Sequence, residues 1–257
     1  MKKIYFVLVA IILVVFTSCS LDSSLSEFDN SSNSGMSGSI KKFVINGDFM
    51  YVLNNNEIQT YDVSNSDKPI LKNSIRTDYG LETITVYDGY VYVGSTTSLY
   101  ILNIDDASAP IILSKTDRNY SFTGCDPVAV KGNYAYSTVK IIANICGTVN
   151  TTSALIVFDV HDKRNPREIK RIPMSMPNGL AFVRDYLLVC DAGANEVVVF
   201  DVSDLENPIH TNYSFDLEDP VDLIINGNKG IISTKNSFDI YDLSDIADIK
   251  KIGFIGT

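Results

Sequence analysis

The chain contains no tryptophan and only two histidines in 257 residues. Without Trp there is no indole platform for stacking sugars. With only His161 and His210, and no paired metal-ligand spacing, a multi-histidine metal centre is excluded. No glycine-rich phosphate loop occurs. The longest apolar run, Ile4 to Phe16, has 13 residues. That is short of the roughly 20 that span a bilayer as a helix. Positive charge is scarce too, with 21 Lys and Arg against 31 Asp and Glu.

The N-terminus has the order of an export signal: Met1-Lys2-Lys3, then the apolar run. Thr17, Ser18 and Cys19 follow. Small residues ahead of a Cys at this place resemble a bacterial lipobox. The resemblance implies cleavage before Cys19, lipid on that cysteine and an address in the bacterial envelope, as an outer-membrane lipoprotein facing the periplasm or the outside. An ordinary signal peptide with an incidental Cys is the other reading. From Ser20 to Ser39 there are nine serines and little that can be buried, so this stretch reads as a tether. Twenty such residues span roughly 25 Å. Without residues 1–18 the chain carries 19 basic and 31 acidic side chains, net −12. Such a charge disfavours nucleic acid and anionic headgroups as partners, leaving the lipid as the membrane contact. The same acidity serves solubility.

Residues 40–257 carry an internal repeat of about 42 residues. Five apolar runs end in an aromatic or Leu, an Asp or Asn, and an aliphatic residue. They are Tyr61-Asp62-Val63, Leu102-Asn103-Ile104, Phe158-Asp159-Val160, Phe200-Asp201-Val202 and Tyr241-Asp242-Leu243. Seven residues on stand Pro69, Pro110, Pro166 and Pro208, with Ile249 in the fifth copy. Each unit also holds an earlier tight turn, at Asn46-Gly47, Asp88-Gly89, Lys131-Gly132-Asn133, Arg184-Asp185 and Asn226-Gly227. Alternating aromatic and β-branched residues follow those turns, as suits strands packed between sheets. Each unit therefore reads as four short strands, A to D. Asp62, Asn103, Asp159, Asp201 and Asp242 end strand C and serve the C–D turn, and the Pro opens strand D. The fold expected is all-β: a propeller of five four-stranded blades, approximately 40–77, 78–118, 119–174, 175–215 and 216–257. This phasing leaves no strand exchanged between first and last blades. Closure then rests on face packing, and an open ring is the alternative.

The runs Leu155-Ile156-Val157-Phe158-Asp159-Val160 and Val197-Val198-Val199-Phe200-Asp201-Val202 resemble the LVIVD repeat. Thr123-Gly124-Cys125-Asp126-Pro127-Val128 and Leu188-Val189-Cys190-Asp191 are similar to segments of the same proteins. The resemblance implies a secreted, often lipid-anchored propeller of the Bacteroidetes type, without an assigned reaction. Propellers whose repeats depend on Trp do not fit.

Cys125 enters blade 3, and Cys146 falls in an insertion between strands B and C of that blade. The phasing puts both loops on one face, so a Cys125–Cys146 disulfide is expected in an exported protein. It would close a loop of roughly 20 residues, a constraint of about 3 kcal/mol. Free thiols or a metal site are the alternatives, although no His lies nearby to complete a zinc set. Cys190 reads as a buried thiol. His161 and His210 adjoin C–D turns, on the face opposite Cys125, so no Ser-His-Asp or Cys-His site assembles. No metal or other cofactor is expected.

The face carrying the D–A and B–C loops is the expected binding face. Glu82, Asp126, Asn178, Asp219 and Asp222 are its candidate residues, near strand A entrances around the axis. Converging carboxylates there suit a polar ligand, a protein or a glycan. They equally suit strand capping and loop solvation. Beside a purely structural surface protein whose ring takes no small ligand, two functional classes remain open at this point. One is a non-enzymatic binding scaffold. The other is a polysaccharide hydrolase or lyase using the same carboxylates.

Overall fold

The computed structural model describes residues 41–96, 98–117, 127–140, 142–145, 148–151 and 153–256. Cys19, Cys125, Asp126 and Cys146 lie outside them. The described chain is a five-bladed β-propeller built from antiparallel sheets. Blade 1 comprises β1 (Phe43–Asn46), β2 (Phe49–Asn54), β3 (Glu57–Asp62) and β4 (Ile70–Arg76). Blade 2 comprises β5 (Leu81–Tyr87), β6 (Tyr90–Ser95), β7 (Ser98–Asn103) and β8 (Ile111–Asp117). Blade 3 begins with β9 (Val128–Lys131) and β10 (Tyr134–Val139). Its insertion forms a separate hairpin, β11 (Ile142–Ile145) and β12 (Thr148–Thr151), before β13 (Ala154–Asp159) and β14 (Arg167–Pro173).

Blade 4 holds β15 (Pro177–Val183), β16 (Tyr186–Asp191) and β17 (Glu196–Asp201). Its outer strand is broken into β18 (Ile209–His210) and β19 (Phe215–Asp216), which pair with opposite ends of β17. Blade 5 comprises β20 (Pro220–Asn226), β21 (Lys229–Thr234), β22 (Ser237–Asp242) and β23 (Lys250–Gly256).

The turn between the first two strands is the same device in every blade. Its first loop residue is left-handed: Gly47, Asp88, Gly132, Arg184 and Gly227 have φ between 48° and 59°. A two-residue hairpin matched to the strand twist needs this conformation. Asn46 and Asn226, expected as turn residues, instead end their strands, and the loops are Gly47-Asp48 and Gly227-Asn228. Glycine takes the left-handed place because it pays no Cβ penalty there.

The C–D turn is a pair of side-chain-capped turns in succession. Asp62 Oδ1 accepts from the Ser64 N–H, Asn103 Oδ1 from Asp105, Asp159 from His161, Asp201 from Ser203 and Asp242 from Ser244. Three residues later the pattern recurs, from Asn65 to Asp67, Asp106 to Ser108, Asp162 to Arg164, Asp204 to Glu206 and Asp245 to Ala247. A short acceptor two residues ahead of an N–H closes such a turn without a backbone partner.

Aliphatic and aromatic side chains between neighbouring blades form four cores. Tyr51 and Ile58 pack with Ile84 and Leu102 between blades 1 and 2. Tyr92 and Ile101 pack with Ile156 and Phe158 between blades 2 and 3. Tyr136 and Leu155 pack with Leu180 and Phe200 between blades 3 and 4. Leu188 and Val199 pack with Leu223 and Tyr241 between blades 4 and 5. Among the described residues no such core joins blade 5 to blade 1. Lys41, just ahead of β1, still feels the charge of Asp222 on β20, so the two ends approach at the axis. Burial lowers the Lys41 pKa, and Asp222 opposes that shift.

Candidate functional site

The D–A and B–C loops share one face, and the innermost strands enter from it with irregular backbones. The register slips between Leu81 and Thr83, between Pro177 and Leu180, and between Pro220 and Asp222. Bulges of this kind turn side chains out of the sheet's alternation. Glu82 occupies the bulge of blade 2 and Asn178 that of blade 4. The Asn178 amide donates to the Pro220 carbonyl (2.8 Å), and its own backbone carbonyl accepts from the Thr138 hydroxyl (2.7 Å). Asn178 therefore ties blades 3, 4 and 5 together at the axis. Asp222 accepts from the Leu223 N–H (2.9 Å). Asp219 is left-handed, with φ 46°, and its N–H donates to Asn195 Oδ1 (3.0 Å). Asn178, Asp219 and Asp222 thus gather on blades 4 and 5, while Glu82 stands on blade 2. Asp126 lies outside the described residues.

Among the described residues three clefts open on this face. One of about 670 Å³ lies between blades 1 and 2, bounded by Asn54, Asn55, Asn56 and Tyr79. Tyr79 is fully available there, at 77 % exposure. The other two adjoin each other between blades 4 and 5, with volumes of about 520 and 280 Å³. They share Leu217, Glu218, Asp239 and Lys251, and Asp219 borders the smaller one.

Asp239 sets this second site apart. Cross-strand pairing puts it in register with Gln59, Tyr100, Ile156 and Val198 of the other blades. Tyr100, Ile156 and Val198 bury apolar bulk against the preceding blade. Blade 5 puts a carboxylate there, only 3 % exposed. It pairs with Lys251 Nζ at 2.6 Å and accepts from the Ser237 hydroxyl at 2.9 Å. Taking a charge out of water costs several kcal/mol before its partners are counted. Room for it comes beside the broken outer strand of blade 4, where Phe215 leans on the Tyr241 ring (4.8 Å between centroids). Sequence reading missed Asp239 because its neighbours in the chain look like any other strand C. Only the register across blades exposes the exchange.

The nucleophile and base candidates elsewhere are separated from this face or sealed. Cys190 is fully buried, and burial pushes its thiol pKa well up, with Asp222 and Asp191 adding to the effect. His161 lies in a C–D turn. His210 lies on the outer strand with Nε2 3.1 Å from Ser214 Oγ. Among the described residues no three His, Cys, Asp or Glu side chains are grouped to hold a metal ion.

Comparison with known proteins agrees with this architecture. A family profile described as LVIVD repeat matches residues 37–77, 82–117 and 125–140. No curated protein matches the chain. Among solved structures, a functionally unknown protein from Desulfotomaculum acetoxidans superposes with a TM-score of 0.63 at 16 % identity, covering 82 % of this chain and 66 % of its own. The periplasmic gluconolactonase of Pseudomonas aeruginosa gives 0.55 at 14 % identity, covering 72 % and 56 %. A chain of the nidogen/laminin complex gives 0.56 at 15 % identity, covering 82 % and 76 %. This chain spans less than two thirds of the first two neighbours. At such identities the likeness is one of fold. The repeated turn and the blades it ends agree with the profile match, which finds the LVIVD repeat within residues 37–140.

Proposed function

We propose that the protein is a non-enzymatic binding scaffold, held to the bacterial outer membrane through lipid on Cys19, that engages a glycan or protein partner with its D–A/B–C loop face. The buried Asp239 carboxylate, paired with the exposed Lys251 in the lining of the blade 4–5 cleft, carries this reading. A charge kept where the repeat otherwise buries apolar bulk is a cost that a ligand contact accounts for. The surrounding chemistry suits hydroxyl-rich or peptide-like groups. Asn195 and Glu218 offer planar acceptors, Lys251 a cation and Tyr241 an aromatic wall. Asp222 is engaged by a backbone N–H and the Lys41 charge, and Glu82 stands on another blade.

The test is a melting-temperature screen of the protein against soluble oligosaccharides and peptides, run beside Asp239→Asn and Tyr79→Ala. A ligand that stabilises the parent and Tyr79→Ala, but not Asp239→Asn, supports binding in the blade 4–5 cleft. Stabilisation lost only in Tyr79→Ala moves the site to blades 1 and 2. The alternative, a hydrolase or lyase, is carried by Glu82, Asp126, Asp219 and Asp222. It requires turnover that falls by orders of magnitude when one of them is neutralised.

A further inference from the structure

The cleft between blades 1 and 2 is built differently from the one between blades 4 and 5. Pairing of the first two strands puts Leu81 in register with Pro177 and Pro220 of blades 4 and 5. Two residues ahead, Tyr79 therefore stands where blade 4 has Ser175 and blade 5 has Glu218. Tyr79 is the most exposed large hydrophobic side chain among the described residues. Its loop is nevertheless fixed on both sides. The Thr77 N–H (2.7 Å) and hydroxyl (3.0 Å) both donate to the Asn56 carbonyl. The Asp78 N–H donates to the Tyr100 hydroxyl (3.3 Å), and the Asp78 carboxylate pairs with Lys115 (2.6 Å). The Gly80 carbonyl accepts from the Thr96 N–H (2.9 Å). A ring held out on a fixed backbone loses little freedom when a ligand lies against it.

The rest of the lining is close to neutral and rich in hydrogen-bonding groups. Asn54, Asn55 and Asn56 line the cleft with Tyr79, and among the described residues none of their side-chain amides has a hydrogen-bond partner. Each offers a carbonyl acceptor and two N–H donors. Among the described residues Lys42 is the one charged side chain of the lining, and its Nζ already donates to the Leu81 carbonyl. Leu53 and Leu81, the aliphatic members, are only 6 % and 3 % exposed. A cleft without an open apolar pocket gives a peptide side chain nothing to anchor in. A cleft whose single cation is engaged gives an ionic ligand no free partner. An open aromatic face beside amides suits a ring that is apolar on its C–H face and hydroxylated at its edge.

We infer that this cleft holds a neutral sugar ring, stacked on Tyr79 and hydrogen-bonded by Asn54, Asn55 and Asn56. It is a second site on the loop face, separate from the blade 4–5 cleft, where Glu218, Asp239 and Lys251 supply charge. One aromatic face and three surface amides cover little of a sugar, so the contact is weak and fills at millimolar ligand. Occupancy is therefore read from the sugar itself rather than from the melting temperature.

Saturation-transfer NMR of the full chain with cellobiose, maltose and N,N′-diacetylchitobiose tests this. Glucuronic acid and a blocked alanine tripeptide serve as the charged and peptide controls. At least one disaccharide should receive saturation at its C–H protons and titrate, while the controls should not. Tyr79→Ala should weaken that binding about tenfold, and Asn54→Ala should weaken it less. Tyr79→Phe keeps the ring face and Asp239→Asn alters only the other cleft, so both should bind as the parent does. Tyr79 is exposed, so its variants should also melt as the parent does. Saturation of none of the disaccharides overturns the inference. So does binding that survives Tyr79→Ala, or equal saturation of either control. Binding lost in Asp239→Asn would place the sugar in the blade 4–5 cleft and overturn it as well.

Discussion

Tyr51, Tyr92 and Tyr136 occupy one position of the repeat, and their hydroxyls show how a single group is accounted for. Tyr51 donates to the Ala107 carbonyl (3.0 Å) and Tyr136 to the Leu205 carbonyl, each reaching the C–D turn of the next blade. Burial pushes the Tyr51 phenol up to about 12, with Asp106 adding to the shift. The corresponding carbonyl for Tyr92 belongs to Lys163, and the Ser114 hydroxyl takes it at 2.7 Å. Tyr92 Oη is left buried without a hydrogen-bond partner. Tyr51→Phe should therefore lose about 1 kcal/mol in denaturant unfolding. Tyr92→Phe should lose nothing or gain slightly. Equal losses at both positions would refute this assignment.

The turn aspartates make a second prediction at this scale. Hydrogen bonds from Ser64 and Ser203, side chain first and then backbone, hold the Asp62 and Asp201 carboxyls below the usual range. For Asp159 the His161 N–H comes first and then Arg167. A carboxyl that titrates lower when folded stabilises fully above the ordinary value of about 4. The stabilisation is lost as pH falls through the folded values. The melting temperature should hold above about pH 4 and drop below it, and Asp201→Asn should flatten that drop. A drop starting near neutrality would point to other groups.

At the scale of the element, the loops divide into tight and open ones. Gly80 has φ 82°, and a Cβ there would lie 2.4 Å from Thr96 Oγ1. Gly47 has φ 58° with nothing within 4 Å of a Cβ. Gly80→Ala should cost roughly 1–3 kcal/mol and disturb the blade 1–2 cleft, whereas Gly47→Asn should change stability little. Thermal melts of both variants decide it. These elements also show what the chain declares in advance. The Asp-aliphatic pair, the spaced proline and the glycine turns mark five blades because their chemistry is local to a few residues. The broken outer strand of blade 4 was hidden, since Ile209 to Asp216 carries strand-forming and turn-forming residues side by side. Asp239 was hidden as well, because its meaning lies in what faces it across a blade interface.

For the whole molecule, the decisive quantity is how many faces of a blade are packed. Blades 2, 3 and 4 have apolar cores on both faces, and blades 1 and 5 on one. Ile224, Ile231 and Phe238 are exposed, although nothing in the sequence sets them apart from the buried residues at the same places in other blades. In hydrogen exchange of the dilute protein, the amides of β6, β10 and β16 should be the slowest. Those of β1 and β23 should open sooner. Uniform protection across all five blades would mean that the fifth junction is sealed.

The central claim is that the loop face binds without reacting. Incubation with soluble polysaccharide, followed at once by melting temperature and by release of reducing ends, tests it most directly. The account predicts that any stabilising polysaccharide gives no new ends, and that Asp239→Asn abolishes the stabilisation. New reducing ends, lost by orders of magnitude in Asp219→Asn or Glu82→Gln, would contradict it.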